Sequence, residues 1–163
     1  MLTTLLAIDP AAARPVSSTG WAFCTYSDTE AFAVVQSGVV NGGFTGFRDD
    51  PNIHRLLNAA NTVVCEKYVP YKAADPSPMM IEGIVSFVRS DTVFQPATGK
   101  NNLVPDMLLK ALGLWSTSGH HHDEREAIRH GLVYLIKMDH LPTLELVRKA
   151  YSTTGPAERR ATR

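Results

Sequence analysis

The chain has little that would staple it, anchor it or charge it. Its 163 residues include only two cysteines, Cys24 and Cys65. A disulfide scaffold needs more, and no zinc-binding spacing surrounds either residue. Both lie in apolar, strand-like runs, so they are expected as buried reduced thiols in an intracellular protein. No apolar run approaches the roughly 20 residues of a membrane span. The apolar start, Met1–Ile8, lacks a basic leading segment and meets Asp9 too soon to read as a signal peptide. An excess of one charge is missing as well. The 16 Lys and Arg balance the 16 Asp and Glu, so no global basic field announces nucleic acid. Any DNA contact must use a local basic face. No internal repeat and no linker divides the chain.

What remains is ordinary globular material, 44% hydrophobic and 20% charged, long enough for one self-supporting core. Residues 1–152 read as a single domain. Residues 153–163, ending Glu158-Arg159-Arg160-Ala161-Thr162-Arg163, read as a basic disordered tail.

Apolar runs bounded by turn residues predict strands over 3–8, 19–26, 31–40, 62–66 and 92–95. The first three form an antiparallel meander, with turn signals at Ser27-Asp28 and Gly42-Gly43. The run Thr62–Cys65 is apolar up to Glu66, as suits a strand buried on both faces. Helical spacing predicts helices over about 52–58, 79–88, 102–114, 123–138 and 143–150. This order implies an α/β fold with a five-stranded mixed sheet, an antiparallel meander plus parallel strands, flanked by helices. Strands one and four can then lie parallel and adjacent. Their ends would emerge at the edge where open α/β sheets place ligands.

Four acidic residues stand out in that frame. Asp9 closes Leu5-Leu6-Ala7-Ile8, and Glu66 closes Thr62-Val63-Val64-Cys65. Asp123 and Glu126 open a helical pattern, three apart and so on one face. Each has a plainer reading alone: a turn residue, a surface salt bridge, or a helix N-cap with its capping box. Together they suit two divalent cations, which activate water and stabilise the leaving oxygen in phosphodiester hydrolysis. Carboxylates favour magnesium over softer metals. Asp9 would bridge both ions, Glu66 would hold one, and Asp123 with Glu126 the other.

These segments resemble a known family. Leu5-Leu6-Ala7-Ile8-Asp9-Pro10, followed by Ser18-Thr19-Gly20-Trp21-Ala22, resembles the opening of RuvC-like Holliday junction resolvases. Val63-Val64-Cys65-Glu66 is similar to that family's second catalytic segment. Asp123-Glu124-Arg125-Glu126-Ala127-Ile128-Arg129-His130 is similar to its C-terminal acidic helix, with an ending like that of phage-encoded members. The likeness spans about residues 3–137. It departs at Ala11, where a glycine is usual, and at Glu126, where Asp is common. A second register, His120 with Asp123, has the same spacing. Ala127 and Arg129-His130 favour Asp123 with Glu126.

The resemblance implies a ribonuclease H-like fold and two Mg2+ ions per site, with Mn2+ able to substitute. It further implies a homodimer acting on four-way DNA junctions by symmetric nicks, in the cytoplasm of a bacterial host. Lys100, beside Asn101, takes the position of a basic residue near the scissile phosphate, where it could neutralise developing charge. Lys67, Tyr68, Tyr71 and Lys72 follow Glu66 and suit backbone contact and base stacking. Arg129 and His130, one turn beyond the acidic pair, suit orientation of carboxylates and suit ordinary helix-surface roles equally well. His120-His121-His122 reads as a polar loop; consecutive histidines cannot all face one tetrahedral metal. The Met-rich stripe of 79–88 is core, with part available for subunit contact. Two other readings stay open: a ribonuclease H-like nuclease for RNA–DNA hybrids or flaps, and a non-catalytic DNA-binding relative.

Overall fold

Five strands carry the apolar runs into one sheet in the computed structural model, which describes residues 1–10, 18–69, 75–115 and 121–153. Strands β1 (Thr3–Asp9), β2 (Ser18–Tyr26) and β3 (Ala33–Asn41) form the antiparallel meander. Strand β4 (Thr62–Lys67) pairs parallel with β1, and β5 (Val93–Pro96) parallel with β4. The order across the sheet is β3-β2-β1-β4-β5. Ile8 faces Cys65 in the parallel register, so Asp9 and Glu66 leave the sheet side by side. The expected mixed sheet is therefore the one observed, and its central pair delivers two acids to one edge.

Helices cover both faces, which is why β1 and β4 are apolar throughout. One face packs Leu5, Ala22, Cys24 and Val64 under α5 (Asp106–Ala111), α6 (His121–Lys137) and α7 (Leu141–Thr153). The other packs Leu6, Ile8, Trp21, Val63 and Cys65 under α1 (Gly43–Asp49), α2 (Pro51–Ala59) and α3 (Ser77–Val88). A short helix, α4 (Lys100–Leu103), follows β5. Both cysteines are buried free thiols, as expected. Among the described residues no helix is long and apolar enough to cross a membrane.

The fold corrects several sequence expectations. Gly42-Gly43 does not close the meander with a turn. Gly42 adopts φ 88° and caps α1, a helix hidden by its glycine content. The helix expected over 102–114 breaks in two at Pro105, which cannot donate to a preceding carbonyl. Helix α6 starts at His121, so Asp123 lies inside the first turn rather than capping it. Strand β3 carries an extra residue opposite Phe23 and Cys24, a bulge that turns Val35 outwards. The tail beyond Thr153 lies outside the described residues.

The site depends on the smallness of Gly20. It pairs with Asp9 across the β1–β2 ladder. A Cβ there would collide with the Asp123 carbonyl, so Gly20 lets α6 lie against the sheet next to Asp9.

Candidate active site

Five side chains from four elements meet at the carboxyl edge of β1 and β4. Asp9 ends β1, Glu66 is the penultimate residue of β4, and Lys100 opens α4. Glu126 and His130 lie four apart on α6, one turn along the same face. Lys100 Nζ donates to Glu66 Oε2 at 2.5 Å, lies 2.9 Å from Glu126 Oε2 and 4.0 Å from Asp9 Oδ1. His130 Nε2 stands 2.5 Å from Glu66 Oε2 and 3.2 Å from Lys100 Nζ. Asp9, Glu66, Glu126 and Lys100 side chains are between 11% and 17% exposed, and that of His130 is fully buried. Charges so poorly hydrated must be matched locally.

They are matched unequally, and the two strand-end acids respond in opposite directions. Burial, with repulsion from Glu66 behind it, raises the Asp9 carboxyl well above the ordinary carboxylate range. Burial pushes Glu66 up too, but hydrogen bonds from His130 and Lys100 outweigh it and hold that carboxyl at about 2. Burial pulls the Lys100 ammonium down; Asp9 and Glu66 overcome this and raise it. Burial lowers the His130 imidazole, which is therefore neutral at neutral pH. Its Nδ1 is buried and has no hydrogen-bond partner among the described residues. A bare lone pair is cheaper to bury there than an N–H, so the proton belongs on Nε2, donating to Glu66.

A further ring of contacts holds the cluster in place. Arg129 is buried and pairs through Nε with Glu126 Oε1 at 3.2 Å. Its other nitrogens reach the Val104 carbonyl and Asp106 Oδ1, the latter at 2.6 Å. Glu126 is thus clamped between Arg129 and Lys100. Gln95, buried at the end of β5, donates to the His130 carbonyl at 3.1 Å. Glu82 on α3 is buried and accepts from the Tyr68 backbone N–H and, at 3.1 Å, from Lys67 Nζ. It thereby ties down the chain just after Glu66.

The sequence-predicted residues divide between this cluster and its surroundings. Asp9, Glu66, Glu126 and Lys100 come together. Asp123 does not join their contacts. Its Oδ2 accepts from Ser18 Oγ at 2.6 Å, one helical turn away and 27% exposed. Lys67 pairs with Glu82 and lies 5.3 Å from the Phe94 ring, with about half its side chain still in solvent. Tyr68 is half-buried and Asn101 exposed. Tyr71, Lys72 and His120 lie outside the described residues. Two residues were underread. His130 touches Glu66 directly, and its position four after Glu126 was the available signal. Glu82 breaks the apolar stripe of α3 between Ile81 and Val85, a buried acid with a job.

Carboxylate oxygens dominate the cluster, which suits a hard divalent cation. One ligand atom from each of Asp9, Glu66 and His130 lies within 4.8 Å of the other two, close enough for one ion to be shared. The His130 tautomer points the other way for that residue and favours orientation of Glu66. Asp9, Glu66 and Glu126 remain as oxygen donors, with Asp123 beside them.

No family model and no curated protein matches the chain. Solved structures do. T. thermophilus RuvC in complex with a Holliday junction substrate is similar at TM-score 0.60 and 12% identity, over 86% of this chain and 97% of that one. The fowlpox virus Holliday junction resolvase is similar at TM-score 0.50 and 12% identity, over 83% and 99%. The same viral enzyme bound to junction DNA gives 0.52 and 15%, over 82% and 99%. Across most of its length, then, the chain has the ribonuclease H-like fold of RuvC-like Holliday junction resolvases.

Proposed function

We propose that the protein is a metal-dependent endonuclease that resolves four-way DNA junctions by paired, symmetric nicks. One observation carries this reading: Asp9, Glu66 and Glu126 converge with Lys100 at one sheet edge, in a fold similar to structures solved on junction DNA. Asp9, Glu66, Asp123 and Glu126 would hold two Mg2+ ions, or Mn2+ in their place. Such ions supply Lewis acidity and a nucleophile at neutral pH. The chain's own residues do the rest. His130 fixes the Glu66 carboxylate through Nε2, and Arg129 fixes that of Glu126. Lys100 offers a positive charge beside the position of the scissile phosphate. Lys67, Tyr68 and Asn101, which follow Glu66 and Lys100 in the chain, would bind the DNA arms, together with Tyr71 and Lys72 of the same sequence run as Glu66.

A junction has two opposing strands to cut, so a two-fold dimer with one site per subunit fits it. The outer face of α3 supports that arrangement. Met80, Gly83, Ile84, Phe87 and Val88 line an apolar groove with Phe44 of α1, and Phe87 is 92% exposed.

The test is a side-by-side assay with Mg2+ and labelled four-way, three-way, duplex and RNA–DNA hybrid substrates. Preferential cutting of the four-way junction is expected. Preference for the hybrid would move the assignment to another ribonuclease H-like nuclease. Binding without cutting would make the protein a non-catalytic relative.

A further inference from the structure

Lys100 is too central to be only a phosphate contact. Its ammonium touches Glu66 Oε2 at 2.5 Å and Glu126 Oε2 at 2.9 Å, with Asp9 Oδ1 at 4.0 Å. These are the oxygens that a divalent cation would need. A cation in that place would face a like charge a few ångströms away, inside a pocket that screens it poorly. The ammonium and the metal compete for the same ligands.

The surroundings give Lys100 somewhere to go. It follows Gly99, which has φ 82° and open space around the position of a Cβ. Residues 96–99 and 101–103 are exposed on either side. Helix α4 spans only Lys100–Leu103, so no long element pins the side chain. The lysine stem is flexible and its head readily hydrated. Without the ammonium, Glu66 and Glu126 would keep His130 and Arg129 as charged or polar side-chain partners among the described residues, and Asp9 would face two further acids.

We propose that Lys100 is the resident counter-ion of this site: its ammonium holds Asp9, Glu66 and Glu126 together when no metal is bound, and withdraws when a divalent cation takes those carboxylates. The withdrawn ammonium is then free to meet a DNA phosphate. The inference rests on the metal-dependent reading of the site and adds an order to it: lysine first, metal second, phosphate last. Metal affinity is set partly by the cost of displacing Lys100.

Two measurements on the full chain test this. The first compares EDTA-treated wild type with Lys100→Met by thermal unfolding and by calorimetric titration with Mn2+. The metal-free variant should melt lower than wild type, and Mn2+ should stabilise it more. It should also bind Mn2+ about tenfold tighter or more, since one charge within 4–6 Å moves an ionisation equilibrium by roughly 1–3 powers of ten. Equal or weaker Mn2+ binding by the variant would overturn the counter-ion role while leaving the nuclease reading intact. Failure of both proteins to bind Mn2+ would remove both. The second measurement uses wild type alone and so does not depend on the variant folding. In crystals grown with EDTA, Lys100 Nζ should stay on Glu66 Oε2; in crystals with Ca2+ it should be beyond hydrogen-bond reach. A lysine that keeps that contact beside a bound Ca2+ would overturn the proposal.

Discussion

At the ends of β1 and β4, Asp9 and Glu66 are nearly buried and wired to Lys100, Glu126 and His130. One helical turn away, Asp123 is partly in solvent and rests on Ser18. Both regions come from acids placed at the ends of regular elements, yet only one is closed by the fold itself. Strand register delivers Asp9 and Glu66 together, and packing of α6 over the sheet delivers Glu126. Asp123 sits where α6 begins and keeps about a quarter of its side chain in solvent. A site can be half preorganised, with the charged half prepaid by internal cations and the other half open to incoming ligand.

The largest effects should come from the closed half. Asp9→Asn and Glu66→Gln should each lower junction cleavage by at least about a thousandfold, with junction binding kept within a few-fold, read by cleavage and gel-shift assays. Wild-type cleavage by either variant would sink the site assignment. Next comes the contrast along α6. Glu126→Gln should cost about a hundredfold or more in cleavage, and Asp123→Asn about tenfold less than that. Equal losses would mean that the two halves act as one ligand set once metal and DNA are bound.

Stability should split the strand-end acids in the opposite way. In metal-free protein, Asp9→Asn removes a carboxyl whose ionisation burial opposes, and should stabilise by about 1–2 kcal/mol. Glu66→Gln removes one whose ionisation the site favours, and should destabilise by a similar amount, about 1–2 kcal/mol. Thermal melts in EDTA decide this; shifts of the same sign would contradict the opposed pKa directions. The pH dependence follows. Glu66 sits at about 2 in the fold against 4.5 ordinarily, so its contribution is full above about 4.5 and fades as pH falls towards 2. Asp9 is raised, so its contribution is full below its ordinary 3.8 and is lost as pH climbs through the raised value. Denaturant titrations between pH 7 and 3 should show Glu66→Gln losing less stability on acidification than wild type. The smallest effect belongs to Ser18→Ala. It should cost about 1 kcal/mol or less and only a few-fold in cleavage, because Asp123 keeps access to water.

Much of this was legible in the sequence, for identifiable reasons. Continuous apolar runs marked β1 and β4 as central strands, and a strand buried on both faces has only its end to offer an acid. That placed Asp9 and Glu66. Lys100 was legible because it follows a turn and precedes a helix, where a positive charge needs a partner. His130 was harder. Its neighbour Arg129 and its place on a long helix made surface roles equally plausible, and only three-dimensional packing shows the ring fully buried. Helix α1 was hidden because Gly42, Gly43 and Gly46 resemble a turn; Gly46 is required where the helix meets the Asn41 carbonyl. The division between α4 and α5 followed from Pro105, whose effect local propensity understated.

The most direct measurement is strand-by-strand mapping of cuts in a four-way junction with each strand labelled in turn, with and without Mg2+. Two nicks, symmetric about the branch point, in opposing strands and only with metal, are the expected result. Cutting that persists in EDTA, or that falls on a single strand without its symmetric partner, would contradict a paired, metal-dependent site built on Asp9 and Glu66.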